Sequence, residues 1–301
     1  MKKIKANLIY NPTSGQVWNT FKPELVKKYL ESKGWKLDIS KTECQGDGIR
    51  LAKDSLMKKY DVVVVAGGDG TINEVVQGLA GSNIALGILP VGTTNVMARD
   101  LKIPLNFQEA LRVLVEGETI DIDLGIINKK YFVMMVGIGF DAKLVNEVDS
   151  NLKKFTGPVA FVATSPVSMV SHKQAKMSII LWDKNGKKKK IKRDSYQVLI
   201  SNAPTYAISL QVSLDAKFDD GLLDVDIFKS QKLHEFAWKL ISIAFISKKS
   251  DSNMTETFQC KKMTIKTEPP MPIQVDGDSY GMTPALIEVK AKYLKIIKPK
   301  E

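Results

Sequence analysis

The sequence predicts a mixed α/β protein, with an N-terminal parallel-sheet domain followed by a β-rich, sandwich-like domain. Three observations predict it. Strand-like apolar runs alternate with stretches of helical spacing as far as about Gly117. The run Val62-Val63-Val64-Val65 reads as a strand buried on both faces, as parallel sheets require. From Thr119 onward the pattern changes to short β-rich segments. The expected boundary falls near Gly117 to Asp123. This gives domains 1–120 and 121–301, with room for the last strand to return to the first domain.

The elements follow in order. Lys5–Tyr10 is a strand. Pro23–Lys33 is a helix through the spacing of Leu25, Val26, Tyr29 and Leu30. Trp35–Lys41 is a strand, and Ile49–Lys59 a helix on Leu51, Ala52, Leu56 and Met57. Asp61–Ala66 is the valine strand, Thr71–Ala80 a helix and Ile84–Leu89 a strand. This βαβα succession implies parallel strands with covering helices. The second half offers strands at Ile120–Ile127, Tyr131–Gly137, Met177–Trp182, Tyr196–Ser201, Leu223–Phe228, Met263–Thr267, Ile273–Asp276 and Ala285–Val289. Asn185-Gly186 marks a hairpin. Helices are expected at Asp141–Val148, around Pro158–Val170 and at Leu233–Ile246.

Composition narrows the function classes. Apolar residues at 44% and charged residues at 26% fit a soluble globular chain. The basic start is interrupted by Asn11-Pro12-Thr13-Ser14-Gly15, so no secretory signal is expected. The longest apolar stretch, Phe236–Ile246, contains Lys239 and falls short of the roughly 20 residues that span a bilayer. Cys44 and Cys260 read as reduced thiols in the cytoplasm. With only His172 and His234 present, neither near a metal-ligand or triad pattern, histidine chemistry is not expected. A net charge of +11 attracts polyanions without choosing among them.

The sharpest chemical signal is the strand exit Gly67-Gly68-Asp69-Gly70-Thr71, followed by Ile72-Asn73-Glu74. Ligands bind at strand ends of parallel sheets. Glycines let main-chain N–H groups reach phosphate oxygens, and a helix start adds positive potential. Asp69 in the turn can hold Mg²⁺ or a hydroxyl. A tight strand-to-helix turn would use the same glycines, but the strand, acid, hydroxyl and helix in this order favour a phosphate site. A second exit, Pro90-Val91-Gly92-Thr93-Thr94-Asn95, repeats the logic; by itself it reads as a helix cap. The first exit, Asn11 to Gly15, fits an ordinary Pro-Gly turn equally well. No Walker-type loop and no Rossmann GxGxxG is present.

Asn11-Pro12-Thr13-Ser14-Gly15, Gly67-Gly68-Asp69-Gly70-Thr71 and Pro90-Val91-Gly92-Thr93-Thr94-Asn95, then Asp219-Asp220-Gly221-Leu222-Leu223-Asp224 and Asp276-Gly277-Asp278, resemble the catalytic domain of the diacylglycerol kinase and sphingosine kinase family. The resemblance runs from Lys5 to about Pro299. It implies an ATP-dependent lipid kinase with nucleotide bound between an α/β domain and a β-sandwich. It implies that Gly67, Gly68, Asp69, Gly70, Thr71, Ile72 and Asn73 cradle the phosphates. Asn11, Ser14, Thr42 and Thr93 would contact the nucleotide, with Gly92, Thr94 and Asn95 completing the second loop. It also implies a Mg²⁺ on the second domain, held by the Asp220 carboxylate and the carbonyls of Lys217 and Leu222. Asp278 stands where many relatives carry the glutamate general base, and Val96 where many carry an aspartate.

A lipid substrate implies peripheral contact with the cytoplasmic side of an anionic membrane. Lys184, Lys187, Lys188, Lys189, Lys190, Lys192 and Arg193 crowd the hairpin and suit either such a leaflet or a solvated edge. Nucleic acid is not expected, because no aromatics interleave with these cations. The regions Phe155–Val170 and Phe236–Ile246 read as core or as a lipid-chain pocket. A homodimer stays open. Two rival readings remain: a kinase of the same superfamily acting on NAD or a soluble alcohol, and a non-catalytic lipid- or nucleotide-binding protein.

Overall fold

The computed structural model describes residues 3–15, 21–147, 173–206, 210–211, 216–228 and 255–300. The helices expected around Pro158–Val170 and at Leu233–Ile246, and with them the apolar regions Phe155–Val170 and Phe236–Ile246, lie outside the described residues. The chain divides into two compact units. The first comprises Met1–Ile122 with Lys292–Glu301, the second Asp123–Ala291.

The first unit alternates strands and helices: β1 (Lys5–Tyr10), α1 (Pro23–Ser32), β2 (Lys36–Lys41), α2 (Asp47–Met57), β3 (Val62–Gly67), α3 (Asp69–Leu79), β4 (Ala85–Pro90), α4 (Val96–Asp100) and α5 (Phe107–Glu116). Strands run parallel in the order β2-β1-β3-β4, with Ala6 opposite Val62 and Val62 opposite Ala85. β3 and β4 are buried at every position, as their unbroken apolar runs require. Pro23 opens α1, where its missing N–H costs nothing, and Val26 and Leu30 face the core. Asn106 caps α5 by accepting from the amides of Gln108 and Glu109. The end of the last strand, β18 (Ala285–Lys298), pairs with β4 through Lys295 and Ala85. Gly81 donates to the Tyr293 carbonyl at 2.7 Å, and Lys295 pairs with Asp121 at 2.8 Å, which pins that end.

The second unit begins within β5 (Glu118–Ile127). It continues through β6 (Lys130–Phe132), β7 (Met135–Gly139), α6 (Phe140–Glu147), β8 (Ala175–Trp182), β9 (Lys188–Ser195), β10 (Gln197–Ser201), the short pair β11 (Thr205–Tyr206) and β12 (Leu210–Gln211), β13 (Leu223–Phe228), β14 (Thr255–Cys260), β15 (Lys262–Glu268), β16 (Pro272–Val275) and β17 (Asp278–Met282). One antiparallel sheet has the order β14-β13-β10-β7-β16-β17; the other runs β18-β15-β8-β9. Val136, Ile138, Val198 and Val225 of the first pack with Met177, Ile179, Met263, Ile265 and Ile287 of the second in one apolar core. This is a sandwich.

Two local differences from the sequence reading have physical causes. Tyr131–Gly137, read as one strand, is broken between β6 and β7. There the amides of Val133, Met134 and Met135 turn to the Asp276 carboxylate instead of following a ladder. Helix α3 starts at Asp69 rather than Thr71, so Asp69 and Gly70 belong to its first turn and not to the loop before it. Among the described residues, no helix is long and apolar enough to cross a membrane.

Candidate active site

In the first unit the exits of β1, β3 and β4 converge main chain against main chain. A side chain on Gly92 would strike Gly68 Cα, and one on Gly15 would strike the Val91 carbonyl oxygen. Only glycine permits this approach. Side chains then tie the loops together. Asn11 Nδ2 donates to Thr71 Oγ1 at 3.1 Å, Gly68 N–H to Ser14 Oγ at 3.3 Å, and Thr94 Oγ1 to Asp69 Oδ2 at 2.7 Å. Asp69 Oδ1 also accepts from the Met97 amide at 3.4 Å. Asn95, in a left-handed conformation, closes its own loop: its Oδ1 accepts from Gly92 N–H at 2.9 Å and its Nδ2 donates to Gly92 O at 2.8 Å.

No side chain caps α3. The first N–H groups of a helix have no acceptor within it, and they mark its positive end. The space beside Gly70 is open. The arrangement can therefore offer several bare amides to an anion. Ile72 differs from its neighbours: its side chain is buried and its amide donates to Gly68 O at 3.0 Å. Thr93 is exposed and Asn73 half-buried. Thr42 is buried at the end of β2, with its amide and hydroxyl both directed at the Tyr10 carbonyl, at 3.0 and 3.4 Å.

Two residues of this site carried no expected role. Glu74, one turn into α3, accepts from Gly46 N–H at 2.8 Å and Gly48 N–H at 2.9 Å, which ties the loop after β2 to α3. Asp47 accepts from the amides of Glu43 and Cys44 and from Arg50. The Glu43 amide, the Arg50 guanidinium and the Cys44 amide hold its carboxyl down to about 2. The one signal in the sequence was the glutamate three residues after Thr71, and spacing alone does not say what it grips.

The second unit carries two further groups. Around Lys217–Leu222, Asp220 Oδ1 accepts from the Leu222 amide at 2.9 Å. Burial, with the nearby carboxylates of Asp123 and Asp219, pushes the Asp220 carboxyl up, against the Leu222 amide and Lys217. Asp123, which carried no expected role, is fully buried; its Oδ2 accepts from Gly221 N–H and its amide donates to Phe218 O, both at 2.6 Å. Crowded carboxylates beside a carbonyl-bearing loop suit a hard cation. Among the described residues no group of three or more His, Cys, Asp and Glu side chains is placed to hold a metal ion. Any cation here would take main-chain oxygens as well as Asp220.

The second group is the turn before β17. Asp276 and Gly277 both have positive φ, 48° and 86°. The Asp276 carboxylate accepts from the amides of Val133, Met134 and Met135 at 2.8, 2.9 and 2.8 Å. Gly277 N–H donates to Gln274 Oε1 at 2.8 Å, and Gln274 Nε2 to buried Asp141 at 2.6 Å. Burial pushes the Asp276 carboxyl from 3.8 up to about 6, against the pull of its three amides. Asp278 follows on this rigid base. Its side chain is exposed and pairs with Lys130 at 3.6 Å.

Glycine-lined exits from a parallel sheet, continued in the chain by an antiparallel sandwich, suit phosphate binding, and the family matches make the chain a kinase that acts on an alcohol group. Residues 5–127 match the diacylglycerol kinase catalytic domain, and residues 134–298 the YegS C-terminal NAD kinase beta sandwich-like domain. The chain belongs to the diacylglycerol kinase catalytic-domain family. It is 29% identical over 301 residues to the diacylglycerol kinase of Bacillus subtilis (strain 168), covering 99% of this chain and 97% of that one. The diacylglycerol kinase of Staphylococcus carnosus (strain TM300) is 28% identical over 308 residues, covering 99% and 96%. A crystal structure of a Bacillus anthracis str. Sterne protein superposes with TM-score 0.80 at 26% identity, covering 99% of this chain and 98% of that one. A crystal structure of a diacylglycerol kinase from the same organism shares the fold, with TM-score 0.74 at 24% identity and coverage of 99% and 98%.

Asp276→Asn sets an NH₂ group against at least one of three amides. It is expected to lower the unfolding free energy by about 1–3 kcal/mol, read from urea midpoints. Asp278→Asn, at an exposed side chain, is expected to change it by about 0.5 kcal/mol or less. Because the folded-state value of Asp276 is raised, its contribution to stability is present below about pH 4 and lost as pH rises through about 6. The gap between the wild type and Asp276→Asn should therefore widen as pH falls from 6 to 4. A gap that stays constant would remove this titration.

Proposed function

We propose that this chain transfers the γ-phosphoryl group of ATP to the hydroxyl of diacylglycerol or a related lipid, acting peripherally at the cytoplasmic face of the membrane. The observation that carries this reading is the side-chain-free meeting of three strand exits beside an uncapped helix start. Membership of a kinase family supports ATP as the donor. The amides of Asp69, Gly70 and Thr71 hold the phosphates beside Gly67 and Gly68, while Asn11, Ser14, Thr42 and the loop Gly92–Asn95 position the nucleotide.

Phosphoryl transfer asks a protein for in-line positioning and charge neutralisation more than for covalent work. The lipid oxygen forms a bond to the γ-phosphorus, the bond to the bridging oxygen breaks, and ADP leaves. Asp278 accepts the hydroxyl proton. Asp278 is one carbon shorter than the glutamate of many relatives, and its rigid base compensates by holding its main chain fixed. Asp69, already anchored by Thr94, faces the phosphates. Lys217, Asp220 and Leu222 would hold a Mg²⁺, which would neutralise the crowded carboxylates there.

Incubating total lipid extract with labelled ATP is expected to yield one labelled lipid, with Asp278→Asn about a hundredfold slower or worse. With NAD offered as a second acceptor, labelled NADP and no labelled lipid would overturn the reading, and wild-type turnover in Asp278→Asn would remove that residue from the base role. Gly92→Ala pushes a methyl group into Gly68 Cα. It is expected to weaken ATP binding about tenfold or more in calorimetry. Added Mg²⁺ is expected to raise the thermal midpoint of the wild type and not of Asp220→Ala. Equal shifts in the two would place the cation elsewhere.

A further inference from the structure

The outer face of the sheet β18-β15-β8-β9 has a composition that neither the core nor the site explains. Side chains alternate along each strand. Met177, Ile179, Leu181, Met263 and Ile265 point into the sandwich, and the residues between them point out. Outward positions carry Lys188, Lys190 and Lys192 on β9, Lys176 on β8, and Lys262 and Lys266 on β15. Lys176, Lys188, Lys190, Lys192 and Lys266 are exposed. Of the acids on this face, Glu268 pairs with Lys266 at 3.4 Å and Glu288 with Lys290 at 3.6 Å and Lys262 at 4.0 Å, while Asp194, exposed on β9, stands opposite Lys176. Among the described residues, no acid lies within ion-pair reach of Lys188, Lys190 or Lys192.

Between the lysines the face is apolar. Trp182, Ile180 and Leu286 are half-buried on it. Ile180 and Leu286, with Ser178, Thr264 and Lys266, line a shallow basin of about 500 Å³. The Lys188 and Lys262 ammonium groups stand 5.5 and 5.9 Å from the Trp182 ring centroid. A tryptophan flanked by lysines suits the boundary between headgroups and acyl chains. Lysine stems can lie along apolar surface while their charges reach phosphates.

We infer that this sheet face docks on an anionic bilayer. The inference rests on the lipid-acceptor reading only for why a bilayer is there to be met. Discouraging edge pairing would explain lysines on the edge strand β9, but not Lys176, Lys262 and Lys266 on the interior strands β8 and β15. A second copy of the chain, meeting this face with the same face, would set lysine against lysine. Nucleic acid would find Trp182 as the one ring on these outward positions, with no series of stacking platforms. Charge complementarity and the exposed apolar centre favour a lipid leaflet.

The test is co-sedimentation of the full chain with phosphatidylcholine vesicles, with and without one third phosphatidylglycerol. The wild type is expected to bind the anionic vesicles selectively and to release as salt rises. The triple variant Lys188→Gln, Lys190→Gln, Lys192→Gln is expected to lose about a hundredfold in partitioning. It should still phosphorylate a short-chain diacylglycerol in neutral detergent micelles at the wild-type rate. Should the triple variant fold poorly, Lys176→Gln with Lys266→Gln is expected to lose about tenfold. Undiminished vesicle binding in these variants, equal binding to neutral vesicles, or lysine-dependent self-association or RNA binding in place of vesicle binding would overturn the inference. Lysine-dependent vesicle binding by a wild type that phosphorylates no lipid would leave the docking face standing and remove the lipid-kinase reading.

Discussion

Close approach of bare main chain at the ends of β1, β3 and β4 is the constraint on which the site depends. Gly15, Gly68 and Gly92 lie so near one another's backbones that a methyl group at Gly15 or Gly92 has nowhere to go. Ser14, Thr94 and Asn11 reach the start of α3 through Gly68 N–H, the Asp69 carboxylate and Thr71 Oγ1, and the amides that open the helix still need acceptors. A helix that begins inside such a junction can satisfy those amides with a side-chain cap, with water or with an outside anion. No side chain caps α3. The glycine junction thus leaves the start of α3 open to an outside acceptor.

Carboxylates that grip main-chain amides recur wherever a loop must hold its shape. Glu74 takes two amides of the loop after β2, Asp47 takes two more, and Asp276 takes three from the break between β6 and β7. Each replaces a ladder or helix bond that an irregular segment cannot make. Asp276 shows the cost of this device: desolvation opposes the ionised form, and the three amides only partly offset it. Its reward is a turn whose positive-φ residues stay put beneath Asp278.

Val96 and Asp278, where the sequence departs from the pattern of the family it resembles, fall in differently supported places. Val96 opens α4 directly beside Asn95, whose side chain closes on Gly92, so the helix start survives with an apolar residue there. Asp69 remains in this region, held by Thr94 and Met97. Asp278, by contrast, stands on a polar network running through Asp276, Gln274 and Asp141, which leaves a shorter acid at a well-defined position.

Much of this was readable without coordinates. Strands β3 and β4 announced themselves because a strand buried on both faces must be apolar throughout, and the exit of β3 was legible because glycine, acid and hydroxyl stand in consecutive positions. Local order also explains why the lysines of β9 stood out. What local order could not reveal was partnership. Nothing near Tyr131–Gly137 hints that Asp276, far along the chain, would capture its amides and split it in two. Glu74 and Asp123 carried no expected role, and folding set them against Gly46, Gly48 and Gly221. The sheet pairing decided that Lys176, Lys262 and Lys266 share a face with β9, because strand neighbours are chosen by topology and not by proximity in sequence. The sequence by itself determined the alternating elements and the phosphate-type loops, since both follow from short-range sterics and burial period; only the tertiary structure decided which carboxylates hold which amides, because those bonds join residues that the chain keeps far apart.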